Sequence, residues 1–185
     1  MIIAKSGFSG FFYRLFDNQR ASIGSLTWPT YAAVPRNGWA AGVVPSSLKD
    51  HTKIYLASQE YKIEYELLSD RAVLPNDLRF FLMKGEHTIV TADTNVLKKG
   101  LRWKIDIDGE RYEFVKNGGI FSSFRFELFL KGQKIGKIVQ TSGFTLWSRT
   151  FQIDMPAGID QAAQVFLFFL AVNASFNLHS AVEKR

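Results

Sequence analysis

The residues best equipped for chemistry in this 185-residue chain are a run of cations around one aromatic ring. In KKGLRWK, Lys98, Lys99, Arg102 and Lys104 surround Trp103. Guanidinium groups grip phosphate as a planar fork and ammonium groups as point charges. A tryptophan among them suits insertion at a lipid interface or stacking on a base. These four cations are the candidate phosphate- or lipid-binding residues. The competing reading is a solvated loop entering a strand, with Trp103 facing the core and Lys104 paired with Glu113.

Other constellations carry less. Asp106, Asp108 and Glu110 resemble the opening of a calcium loop, but such a loop ends on a bidentate Glu at its twelfth position. Counted from Asp106 that position is Asn117, and the residues between read as strand. His51, His87 and His179 lack the spacing of a metal site. Asp50-His51 stands near Ser46 and Ser47, yet no GxSxG elbow is present. P-loop, GxGxxG and HExxH patterns are absent. Asn37-Gly38-Trp39 echoes the GxW of lipocalins without its first glycine. No catalytic, cofactor-binding or metal-binding residues are expected, and no cofactor. The chain reads as non-enzymatic.

Composition sets the wider bounds. Hydrophobic residues make up 46% and charged residues 22%, as in an ordinary globular domain. The chain has no cysteine, which excludes disulfides and thiolate chemistry. Its 17 phenylalanines help bring aromatics to 15%, which suits a pleated, half-buried sheet. A net charge of +6 favours acidic partners, either phospholipid surfaces or nucleic acid. At the N-terminus, MIIAKSGFSGFFYRLF is broken by Lys5, Ser6, Gly7, Ser9 and Gly10 before a secretory h-region develops. A single cytoplasmic domain covering residues 1–185 is the expectation.

The elements that must position these residues are mostly short strands over about residues 10–154. WKIDIDGERYEFV is the clearest hairpin, because Asp108-Gly109 suits a type I′ turn with positive φ at both positions. That turn pairs Ile107 with Glu110, Asp106 with Arg111, Ile105 with Tyr112, Lys104 with Glu113 and Trp103 with Phe114. FRFELFLKGQKIGKIVQ is a second hairpin turning at Gly132, YRLFDNQRASIGSL a weaker one at Asp17-Asn18, and FFLMKGEHTIVTA a third with a Lys-Gly turn. Ile23-Gly24-Ser25-Leu26 matches Ile135-Gly136-Lys137-Ile138, so the hairpins are either a repeated unit of a meander or similar by chance. Residues 27–39 and 69–79, with their prolines, read as connections and not as interdomain linkers.

After Asp154 the pattern changes. Met155-Pro156-Ala157-Gly158 breaks the strand, Asp160 can cap a helix, and AAQVFLFFLAVNASF follows. A spanning helix needs about 20 mostly apolar residues. Here Val165 to Val172 is the longest uninterrupted stretch, between Gln164 and Asn173. A membrane anchor is disfavoured; a buried strand stays open, since so short a run has no decisive periodicity. The favoured reading is a helix over about 158–176 that is apolar almost all round and must be enclosed by the strands.

Antiparallel strands followed by one nearly all-apolar helix resemble the tubby C-terminal-like superfamily, with its LURP-one-related proteins and phospholipid scramblases. The matching elements are the strand–turn–IGxI units, the last strand FQIDMP and the helix AAQVFLFFLAV, from about Phe12 to Phe176. The resemblance implies a closed antiparallel β-barrel wrapped around a central hydrophobic helix. It also implies membrane-related activity: tubby proteins bind phosphoinositides through basic residues, and scramblases act on membranes with calcium. Neither residue set maps onto this chain. The expected function is a binding or scaffold module that meets anionic phospholipid through a basic outer surface, peripheral to the membrane at most. A protein-interaction module and a calycin-like small-ligand barrel are the alternatives. Nucleic acid is not an expected partner, and no transmembrane segment is expected.

Overall fold

The computed structural model describes residues 1–7, 12–27, 52–67, 78–95, 102–117, 124–142 and 149–182, with the side chains of 67, 78, 94, 95 and 175–182 excepted. The strands are β1 (Ile2–Ser6), β2 (Phe12–Phe16), β3 (Ser22–Thr27), β4 (Thr52–Leu56), β5 (Gln59–Leu67) and β6 (Leu78–Lys84). They continue with β7 (His87–Asn95), β8 (Arg102–Ile107), β9 (Glu110–Lys116), β10 (Arg125–Leu130), β11 (Gln133–Gln140) and β12 (Thr150–Asp154). One helix, α1 (Gln161–Val182), follows. Each strand pairs antiparallel with its sequence neighbour, and β1 pairs with β12, so the sheet closes into a barrel without edges.

The closing strand is a correction to the sequence reading, which began the strands near residue 10. Ile2 and Ala4 are buried while Ile3 and Lys5 face out. The alternation of IIAKS is that of a half-buried strand.

Every pair expected in the β8–β9 hairpin is present, from Ile107↔Glu110 to Trp103↔Phe114. Asp108 has φ 52° and Gly109 φ 79°, as the type I′ turn demands. Lys131 and Gly132, at 50° and 80°, form the same turn between β10 and β11. Between β6 and β7 the Lys-Gly pair behaves differently: Lys84 ends its strand opposite His87, and Gly85, at 61°, opens the loop. Asp17 holds its five-residue turn by accepting hydrogen bonds from the Gln19 and Ala21 amides on Oδ1. The β4–β5 hairpin has no sequence signal, since its turn places Ala57 at φ 46° and Ser58 at 67° without glycine or asparagine.

The three hairpins that look alike in sequence share one irregularity. Register slips between Leu15 and Phe16, between Leu82 and Met83, and between Leu128 and Phe129. The extra residue opposite each slip is an isoleucine: Ile23, Ile89 or Ile135. All three are partly buried against the core. Bulged hairpins β2–β3, β6–β7 and β10–β11 therefore alternate with regular pairs β4–β5, β8–β9 and β12–β1. The barrel is built from three four-strand units, each bent once by a bulge. In two of them a glycine follows the isoleucine because the next strand lies close. A Cβ on Gly24 would sit 1.8 Å from the Tyr55 carbonyl oxygen, and one on Gly136 would sit 2.5 Å from Met155 Sδ.

The apolar run is a helix on the barrel axis. From Ala162 to Ala174 every residue is buried, none more than 7% exposed. Phe168 packs on Tyr13 of β2 and Phe151 of β12, with ring centroids 5.0 and 5.1 Å apart. Phe169 meets Phe80 of β6 at 5.7 Å. In the ring of twelve strands β12 and β6 are opposite, so the helix fills the space between facing walls. Asp160 caps it through Oδ1 to the Ala162 amide at 2.8 Å. Gln164, a polar residue on this otherwise apolar helix, is buried and donates to the Ile159 carbonyl at 2.8 Å. The helix starts at Gln161 and extends to Val182, beyond the expected end near 176.

Because the strands alternate in direction, the short turns of β2–β3, β4–β5, β6–β7, β8–β9 and β10–β11 all lie at one end. There too β12 ends and α1 begins. Its C-terminal end points to the opposite end, where β7 leads to β8 through residues 96–101.

Candidate functional site

With its axis filled, the barrel offers its outer wall for chemistry. Lys98 and Lys99 lie outside the described residues, as do His51, Asp50, Ser46, Ser47 and the Asn37-Gly38-Trp39 segment. Arg102 and Lys104 are on β8 with their side chains exposed, while Trp103 between them is 4% exposed. Trp103 points inward against Phe114 and Phe126, at centroid distances of 5.7 and 5.9 Å. The ring expected either at an interface or in the core is in the core.

Lys104 lies between two carboxylates in register, and Arg102 reaches one of them. Along one row of the wall the partners run Glu66↔Arg79, Arg79↔Asp93, Asp93↔Lys104 and Lys104↔Glu113. Charge alternates in sign across the five strands β5 to β9, an arrangement that stabilises each cross-strand contact by about 0.2–1 kcal/mol. Arg79 forks onto Asp93 with Nε–Oδ1 at 2.6 Å and Nη2–Oδ2 at 3.0 Å. That pairing lifts the Arg79 pKa further above its ordinary range. Arg102 reaches Glu113 at 3.7 Å. Asp106, Asp108 and Glu110 belong to the β8–β9 hairpin: Asp106 Oδ1 accepts from the Gly109 amide at 3.0 Å. Glu110 accepts from the Tyr112 hydroxyl at 2.7 Å. Burial first, and then that bond, push Tyr112 up to about 12. Among the described residues no group of acidic or histidine side chains could hold a metal ion.

A second ionic group lies on β10 and β11. Glu127 Oε1 takes Lys134 Nζ at 2.5 Å and Arg125 Nη2 at 2.9 Å, and Asn117 Nδ2 donates to Oε2 at 3.1 Å. Glu127 is on the outward side of its strand, yet these side chains cover it to 7% exposure. The Lys134 hydrogen bond leads in holding its carboxyl below the ordinary value, against the effect of desolvation.

The wall across β1 and β2 differs. Lys5 stands directly opposite Arg14, and both are exposed. Like charges so placed repel. A second such pair among the described residues, Lys53↔Lys62, is relieved by Glu60, 3.2 Å from Lys53. Neither Lys5 nor Arg14 has a carboxylate partner among the described residues; Lys5 Nζ instead lies 5.3 Å from the centroid of the Phe16 ring. Local cation density could not reveal this pair, because its members are nine positions apart. The alternations IIAKS and FYRLF could have placed both cations outward, but not opposite each other.

The sides of the barrel consequently differ in charge. The described residues of β10–β12 and β1–β3, with their turns, carry eight basic and three acidic side chains, a net +5. Those of β4–β9 carry eight basic and nine acidic, a net −1. Among the described residues no helix is long and apolar enough to cross a membrane.

Comparison with known proteins adds no assignment: no family model, no curated protein and no solved structure matches the chain.

Proposed function

We propose that the protein is a non-enzymatic module that binds anionic phospholipid surfaces peripherally through its basic outer wall. The observation that carries this reading is the partition of charge. Among the described residues, five net positive charges lie on the β10–β3 half, while the β4–β9 half pairs most of its charges internally. Each basic side chain near an anionic membrane contributes about 1 kcal/mol, and the contribution fades beyond a Debye length of about 8 Å at physiological salt. A one-sided barrel brings several cations within that distance together. The tubby-like reading of the sequence points the same way, and a cytoplasmic, peripheral placement accords with it. A small-ligand barrel is disfavoured because α1 occupies the axis that such a ligand would need.

The test is co-sedimentation with vesicles containing an anionic phospholipid, followed over increasing salt. Binding at low salt that weakens as salt rises is expected. Absence of binding at low salt, or equal binding to purely zwitterionic vesicles, overturns the reading.

A further inference from the structure

We infer that the phosphate-contacting surface is the outer row Thr150–Lys5–Arg14–Ser25 across β12, β1, β2 and β3, and that its partner is an anionic lipid surface. This rests on the proposed lipid-binding function and adds to it the face that binds. The register is continuous: Thr150↔Lys5, Lys5↔Arg14 and Arg14↔Ser25. Neighbouring strands lie about 4.8 Å apart, so the row spans about 15 Å. Two cations hold its centre, a hydroxyl flanks each side, and the row contains no carboxylate. The row Glu66–Arg79–Asp93–Lys104–Glu113 on the far wall satisfies itself ion by ion. This one has its charges unmet, as a surface awaiting an anion would.

The neighbours of the row favour a lipid surface over free phosphate. Phe12 and Phe16 lie two residues either side of Arg14 on β2, and Ile3 is opposite Phe16. All three are half-exposed and share the outward side with Arg14. Aromatic rings beside cations match the boundary where headgroup phosphates meet acyl chains. The Lys5–Arg14 repulsion is a cost to folding that a bound anion would offset, and functional surfaces commonly carry such costs.

Charge reversal in one chain tests the assignment against net charge. Lys5→Glu with Arg14→Glu is expected to weaken binding to anionic vesicles by at least about 30-fold, given about 1 kcal/mol for each of the two cations removed. Lys84→Glu with Arg111→Glu, an equal charge change on exposed side chains of the far wall, is expected to stay within about 3-fold. If the wild type binds vesicles and both double variants lose equally, net charge governs binding and the face is wrong, while the lipid function stands. If the wild type binds no vesicles, both fall. An oligonucleotide that displaces vesicles at equal phosphate, with the same dependence on Lys5 and Arg14, would reassign the face to nucleic acid. A readout free of lipid accompanies these. Lys5→Gln and Arg14→Gln each remove the repulsion and should raise the midpoint of thermal unfolding slightly; a fall in both would make the pair structural and overturn the inference.

Discussion

On the outer wall of β10, Glu127 shows how one carboxylate organises its surroundings. It gathers Arg125, Lys134 and Asn117 and thereby protects its own ionised form. Its folded pKa is below the ordinary 4.5, so its contribution is complete above that value and disappears as pH falls through the folded pKa. Glu127→Gln should therefore cost about 1.5–3 kcal/mol at neutral pH, the range for hydrogen bonds to charged groups. The gap between variant and wild type should close in acid, where both side chains are neutral. Urea unfolding at pH 7 and below pH 4 checks this, and a gap that widened in acid would contradict it. At this scale the sequence is legible where neighbours in register are near in the chain: Lys104 with Glu113 follows from one turn. Lys5 with Arg14, Arg79 with Asp93 and Glu127 with Lys134 depend on register set by connections and bulges, and only the assembled wall brings them together.

The hairpins carry the architecture. Those with Asp-Gly and Lys-Gly turns were legible because positive φ at a turn has few sequence solutions. Ala57-Ser58 adopts the same geometry at about 1–2 kcal/mol for each non-glycine residue, so the pairing of β4 with β5 must impose it. The IGxI resemblance proves to mark a bulge and a close approach by the next strand. Gly24→Ala should be severe, because the added carbon would meet the Tyr55 backbone oxygen, which moves only with the sheet. Gly136→Ala should cost less, since its nearest obstacle is the flexible end of Met155, although the Asp154 oxygen lies 3.1 Å away. Overpacking typically costs about 1–3 kcal/mol, with Gly24 expected above and Gly136 within that range. Denaturation midpoints of the two variants decide the order, and the reverse order would contradict this account of the bulged units.

Across the whole molecule, a helix apolar on every side required an enclosing wall, and that wall had to be built from the strands before it. Composition and order alone thus gave access to an enclosing wall of strands, while its closure into a barrel was what the tubby-like resemblance implied. The strand count was less accessible, since β1 precedes the region near residue 10 where the strand pattern becomes clear and β4 lies in a segment without turn signals. Charge distribution was least accessible, because the same +6 could be spread evenly or gathered. Among the described residues the positive excess lies on the β10–β3 side. The absence of cysteine allows a direct measurement of orientation, since a single introduced cysteine can carry a fluorophore without competition. Ser22 on β3 and Thr88 on β7 are both exposed and lie on different sides of the wall. With anionic vesicles whose headgroups bear a nitroxide quencher, the dye at position 22 should be strongly quenched and the dye at position 88 little affected. Equal quenching at both positions, or stronger quenching at 88, would contradict a barrel that meets the membrane with its basic side.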